Sequence, residues 1–157
     1  MDQDPEDVVP DELPEPEAGT FPVATVLLAE DDPDIRDLFT MVMEGAGIAV
    51  TAVSDGQQAL EALHGAGGTG DDPGFDLLVT DMWMPKLSGL DLCRRLRADP
   101  ATQGLPVLML SAYGRLRGRE EAMMVGATEY VQKPVRPSQF ISKVDSLLGG
   151  RLVTRGS

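Results

Sequence analysis

The chain has one cysteine, Cys93, and one histidine, His64, among 157 residues. A lone cysteine excludes an intrachain disulfide framework and a cysteine-rich metal site. A lone histidine at a loop edge excludes a phosphoryl relay through a histidine-bearing helix, and a surface position is its simplest reading. Aromatic residues are scarce, 4% of the chain, so Leu, Val, Ala and Met must build the core. No apolar run approaches the roughly 18 residues of a membrane span, and the first residues lack the basic charge of a signal peptide. Basic charge is short throughout: 13 Lys and Arg stand against 26 Asp and Glu, a net −13. Such a chain repels phosphate backbones and anionic lipid, which argues against nucleic acid and membrane as direct partners. A cytoplasmic protein is the expectation.

What is present is unevenly placed. Eight acids and no base lie in residues 1–22, with Pro5, Pro10, Pro14, Pro16 and Pro22 among them. A segment so polar and self-repelling has too little to bury, so residues 1–22 are expected to form a disordered tail. Residues 150–157 end in Arg-Leu-Val-Thr-Arg-Gly-Ser, show no core pattern and look like an expression remnant. Residues 23–149 are long enough for one domain with a real core.

The most informative stretch runs from Phe75 to Pro85. It begins as an apolar run, the mark of a strand covered on both faces. It ends on Asp81, before a loop that Pro85, Ser88 and Gly89 keep irregular. Four more apolar or β-branched runs read as strands: Val23 to Leu28, Ile48 to Val53, Pro106 to Leu110 and Glu129 to Gln132. Helical spacing fills the gaps. Ile35, Leu38, Phe39, Val42 and Met43 form one stripe, with Asp32 as cap and Pro33 in the first turn. Ala59, Leu60 and Leu63 mark a second helix, and Leu90, Leu92, Cys93 and Leu96 a third capped by Ser88. Arg115 to Val125 is a weaker, charged fourth helix. Phe140, Ile141, Val144, Leu147 and Leu148 belong to a fifth. The loop from His64 to Gly74 is long for its position and receives no role. This alternation predicts an α/β fold: a single doubly wound parallel sheet of five strands, with helices on both faces and right-handed crossovers.

In such a sheet every strand's C-terminal end falls on one edge, where ligands bind. That edge would gather Glu30, Asp31 and Asp32, then Asp81, Ser111 and Lys133. Singly, each reads as a cap, a turn or a surface residue. Jointly they describe a chemistry. Clustered carboxylates repel one another until a cation neutralises them, and Mg²⁺ is usually held by one or two carboxylates with waters and a phosphate. A carboxylate left free on its outer oxygen is a nucleophile. A transferring phosphoryl group spreads charge over three oxygens. The metal, Lys133, and the Ser111 hydroxyl with backbone N–H groups would serve one each. Asp81 is then the candidate phosphoryl acceptor.

Four motifs carry a resemblance: Leu28-Ala29-Glu30-Asp31-Asp32, Thr80-Asp81-Met82-Trp83-Met84-Pro85 with Ser88-Gly89, Ser111-Ala112, and Glu129-Tyr130-Val131-Gln132-Lys133-Pro134. In this order and spacing, residues 23–149 resemble the receiver domain of bacterial two-component response regulators. The resemblance implies a flavodoxin-like sheet of order 2-1-3-4-5. It implies that Asp81 takes a phosphoryl group from a phosphohistidine on a histidine kinase or phosphotransfer protein. Asp32 and Asp81 would bind Mg²⁺ directly, with the backbone carbonyl of Trp83 as a further ligand and Asp31 acting through water. Lys133 would pair with Asp81 and then with the phosphoryl oxygens. Ser111 would move toward the phosphoryl group and Tyr130 would swing inward with it. That motion would alter the face of the fourth helix, fifth strand and fifth helix for a downstream protein target.

Two features depart from the family pattern or extend it. Trp83 and Tyr113 stand two residues beyond Asp81 and Ser111, and their bulk is expected to screen the acyl phosphate from water. The chain is expected to be a stand-alone regulator, or a receiver cut from a larger regulator or hybrid kinase. It would be no enzyme beyond its own phosphoryl transfer and dephosphorylation.

Two other functions compete. An aspartate-nucleophile phosphatase needs a second acid two residues after the nucleophile; Trp83 stands there, and the alternative falls. A degenerate receiver that only binds a partner would have lost part of the pocket, whereas the acids, Asp81, Ser111 and Lys133 are all present.

Overall fold

The structure, a computed structural model, describes residues 22–64, 74–112 and 117–150. The tail through Phe21, the loop 65–73, residues 113–116 with Tyr113 and Arg115, and the end from Arg151 lie outside the described residues. So do the expectations placed on them.

Five strands alternate with five helices. In chain order they are β1 (Ala24–Ala29), α1 (Pro33–Gly45), β2 (Ile48–Val53), α2 (Gly56–His64), β3 (Leu77–Asp81), α3 (Gly89–Ala98), β4 (Val107–Ser111), α4 (Gly118–Met124), β5 (Glu129–Gln132) and α5 (Pro137–Leu147). All neighbours pair in parallel, and the sheet order is β2-β1-β3-β4-β5. This is the expected flavodoxin-like topology.

The pleat sorts the strand residues into two cores. Val26, Leu28, Leu77, Val79, Leu108 and Leu110 face α1 and α5, where they meet Phe39, Met43, Phe140 and Val144. Leu27, Leu78 and Met109 face the opposite way, against Ala59 and Leu63 of α2, Leu92, Cys93 and Leu96 of α3, and Ala122 of α4. The Phe39 and Phe140 rings stack at 4.1 Å and 7° and clamp α1 to α5. Such a pair contributes about 0.5–1.5 kcal/mol beyond the area it buries. Every residue of β3 and β4 is buried, as expected of central strands in a sheet covered on both faces.

The boundaries of these two strands differ from expectation. β3 ends on Asp81 as expected but begins at Leu77 rather than Phe75, and β4 runs one residue past Leu110, so Ser111 is its last strand residue. Backbone pairing causes this: the ladder continues past Asp81, where Met82 N–H donates to the Leu110 carbonyl at 2.7 Å. Pro106 has no N–H to donate, and β4 starts one residue after it. Among the described residues α4 begins at Gly118.

Candidate functional site

Strand register places the acids. Ala29 pairs with Thr80, so the next residues, Glu30 and Asp81, come side by side at the C-terminal edge. The chain then returns at β5, where Lys133 N–H donates to the Ser111 carbonyl at 2.7 Å and the side chain reaches back over the edge. Lys133 Nζ lies 2.8 Å from Asp81 Oδ1 and 3.1 Å from Glu30 Oε1. Glu30 is fully buried, and its second oxygen accepts the Asp32 N–H at 3.0 Å. The loop after Asp81 folds back tightly: Gly89 N–H donates to the Met82 carbonyl, and a Cβ at Gly89 would overlap the Asp81 carbonyl. Glycine is required there so that α3 can start against the acceptor strand.

Two buried carboxylates share one ammonium, so the group carries uncompensated negative charge. Asp81 is only 3% exposed. Burial first, then the adjoining Glu30 carboxyl, push its pKa up to about 8, with Lys133 opposing. Burial pulls the Lys133 ammonium down, but the Asp81 and Glu30 carboxylates outweigh it and hold the pKa above its usual value. Asp81 therefore calls for a proton or a second cation.

Carboxylate oxygens of Glu30, Asp31 and Asp81 lie within 4.8 Å of one another. The adjoining cavity, about 190 Å³, is lined by Asp31, Asp81, Met82, Trp83, Leu110, Ala112 and Lys133. An all-oxygen donor set beside an under-compensated acid fits a hard divalent cation such as Mg²⁺. Trp83 lines this cavity while remaining 52% exposed.

Residues 26–145 match the profile of the response regulator receiver domain. The chain belongs to that family. It is the receiver domain of a two-component response regulator, a signal transducer. It is 32% identical over 123 residues to the DNA-binding response regulator MtrA of Mycolicibacterium smegmatis, covering 78% of this chain and 50% of MtrA. The chain thus spans about half the length of that relative. Among solved structures, the Francisella response regulator 1452 receiver domain is 30% identical with a TM-score of 0.69, covering 80% of this chain and 97% of the other. The receiver domain of the sensor histidine kinase PA1611 from Pseudomonas aeruginosa PAO1 is 25% identical with a TM-score of 0.69, covering 80% and 98%; that structure has magnesium coordinated in its active-site cleft. Receiver domains of response regulators interact with histidine kinases. The expected exclusion of nucleic acid finds no support here, since MtrA is described as DNA-binding. Among the described residues no helix is long and apolar enough to cross a membrane.

Four of the expected site residues of this receiver line one cavity: Asp31, Asp81, Trp83 and Lys133. Three do not. Asp32, expected to ligate the metal directly, instead caps α1: its Oδ1 accepts the N–H groups of Asp34 at 2.9 Å and Ile35 at 3.3 Å. Glu30, absent from the expected ligand set, is the acid whose oxygen lies with those of Asp31 and Asp81. The missed signal is register, because pairing Ala29 with Thr80 sets Glu30 beside Asp81. Ser111 is buried, and its hydroxyl donates to the Ala112 carbonyl over a long 3.4 Å. Tyr130, expected to swing inward, is already inside at 7% exposure.

The two acid assignments can be told apart directly. Asp32→Ala is expected to lower stability by about 1 kcal/mol through loss of the cap, with Mg²⁺ affinity nearly unchanged. Asp31→Asn is expected to weaken Mg²⁺ binding by at least about tenfold, through loss of a ligand charge. Titration followed by Trp83 fluorescence distinguishes the two, and a larger binding defect for Asp32→Ala would restore the original assignment.

Proposed function

We propose that this receiver accepts a phosphoryl group on Asp81 from a phosphohistidine of a histidine kinase or phosphotransfer protein, with Mg²⁺ as cofactor. The change is passed to a downstream protein through the face of α4, β5 and α5. The observation that carries this reading is the Asp81 carboxylate paired with Lys133 Nζ at 2.8 Å beside a cavity of about 190 Å³. In the transfer, an Asp81 oxygen forms a bond to phosphorus as the phosphorus–nitrogen bond of the donor breaks, and the imidazole nitrogen keeps the electron pair. Lys133 donates to one phosphoryl oxygen. The Ser111 hydroxyl turns from the Ala112 carbonyl to another. Glu30, Asp31 and Asp81, with the Trp83 carbonyl, would hold the metal, which supplies charge neutralisation at the transferring group. Hydrolysis of the acyl phosphate releases inorganic phosphate and restores the acid. The receiver spans residues 23–149 and catalyses only this transfer and the hydrolysis that ends it. The same chemistry serves a stand-alone regulator or a receiver within a larger regulator or hybrid kinase.

Trp83, the only tryptophan, lines the cavity and reports on it. Millimolar Mg²⁺ is expected to change its fluorescence, and beryllofluoride, which stands in for the phosphoryl group, to change it again only with Mg²⁺ present. Equal responses to beryllofluoride with and without Mg²⁺, or none at all, would refute the reading.

A further inference from the structure

One carboxylate ties together the three elements of the α4–β5–α5 face. Glu129 Oε1 accepts the Tyr130 N–H at 3.0 Å and pairs with Arg119 Nη1 of α4 at 3.5 Å, while Oε2 pairs with Lys143 Nζ of α5 at 3.3 Å. The Tyr130 N–H, ahead of the two cations, holds the Glu129 carboxyl below its usual pKa. Arg119, fixed in this way, lies with its guanidinium carbon 5.1 Å from the centre of the Tyr130 ring, within range of a cation–π contact. The ring is buried in one core with Ala122 and Val125. Below it, α4 opens on Gly118, where a Cβ would overlap the Tyr130 hydroxyl. Gly118 leaves the space, Arg119 covers it, and Glu129 holds the cover and the backbone of Tyr130 together. None of these contacts involves Asp81, Ser111 or Lys133.

We propose that Gly118, Arg119 and Glu129 are positioning residues that seat the Tyr130 ring inward before any phosphoryl group reaches Asp81. The seat is therefore independent of the modification. A ring free to swing would couple the α4–β5–α5 face to Ser111. A ring already clasped takes no part in that motion, and the modification must be passed on by other groups. This deepens the proposed function and rests on Asp81 as acceptor only where the modified form is concerned.

The test uses the full chain with Tyr113→Phe, which leaves Tyr130 as the only tyrosine, labelled as 3-fluorotyrosine. Its single ¹⁹F resonance reports ring exposure through the shift between H₂O and D₂O. The free protein is expected to show a small solvent shift that Mg²⁺ with beryllofluoride leaves unchanged, while Trp83 fluorescence in the same sample responds. Glu129→Gln and Arg119→Gln, the first at a half-buried and the second at an exposed position, are expected to raise the solvent shift at least twofold and make it sensitive to beryllofluoride. A change of packing alone would not confer that sensitivity. Gly118→Ala is expected to give an exposed ring, with circular dichroism reporting whether the helices persist. An exposed resonance in the free protein that becomes buried with beryllofluoride would overturn the proposal. So would a ring that stays buried and unresponsive in both Glu129→Gln and Arg119→Gln. If Trp83 does not respond, the acceptor reading fails instead, and the free-protein measurements still decide the seat.

Discussion

Asp81→Asn is expected to abolish phosphoryl uptake, with incorporation from a labelled small phosphodonor falling at least about 10³-fold, the scale of losing a nucleophile. Three other acids lie close by, and the structure gives each a reason not to substitute. Glu30 is fully buried with one oxygen on the Asp32 N–H and the other on Lys133. Asp32 is committed to the start of α1. Asp31 is exposed and near the other acids, but Lys133 pairs with Glu30 and Asp81. Only Asp81 joins an ammonium at 2.8 Å to a place on the cavity wall. The asparagine keeps the shape and removes the attacking oxygen's charge. The beryllofluoride response of Trp83 should vanish with it. Label that persists on another residue, recovered by mass spectrometry, would move the acceptor.

Much of this site could be read from sequence because its residues mark strand ends. An apolar run that stops on Asp81, Ser111 or Lys133 needs only the parallel-sheet rule to bring those ends to one edge. The one-residue offset between the expected pair, Asp31 and Asp32, and the pair beside Asp81, Glu30 and Asp31, shows where that logic stops. Three consecutive acids all follow the same strand, and their sequence alone does not say which one faces the sheet edge. Hydrogen bonding decides it, through the pairing of Ala29 with Thr80 and the claim of two α1 N–H groups on Asp32. The seat of Tyr130 was illegible for a different reason. It depends on a glycine twelve residues away, an arginine on a short helix and a glutamate shared between two cations. No local pattern joins these. The sequence offers Asp32 as both cap and ligand, and the cap is what its Oδ1 forms.

Asp81 also sets the second large effect, on stability. Its pKa of about 8 in the folded protein exceeds the model-peptide value of 3.8, so between those values the folded state holds a proton that the unfolded chain has released. Stability then falls as pH rises through that window. Four units at about 1.4 kcal/mol each bound the penalty near about 6 kcal/mol. Charge sharing with Glu30 and Lys133 keeps the realised penalty below that bound. Without Mg²⁺, the protein should therefore lose stability from about pH 4 to pH 8. Asp81→Asn should be flatter over that range and more stable at pH 8, with a Tm higher by several degrees at about 2–8 °C per kcal/mol recovered. Millimolar Mg²⁺ should recover much of the loss in the parent protein and little in the variant, because a cation that binds only the folded state stabilises it by mass action and replaces the missing proton. Thermal melts at pH 5 and pH 8, with and without Mg²⁺, measure all four arms. Parallel pH profiles for parent and variant would mean that the Asp81 carboxyl is not held against its charge, and the electrostatic argument for a cation at this site would fall with it.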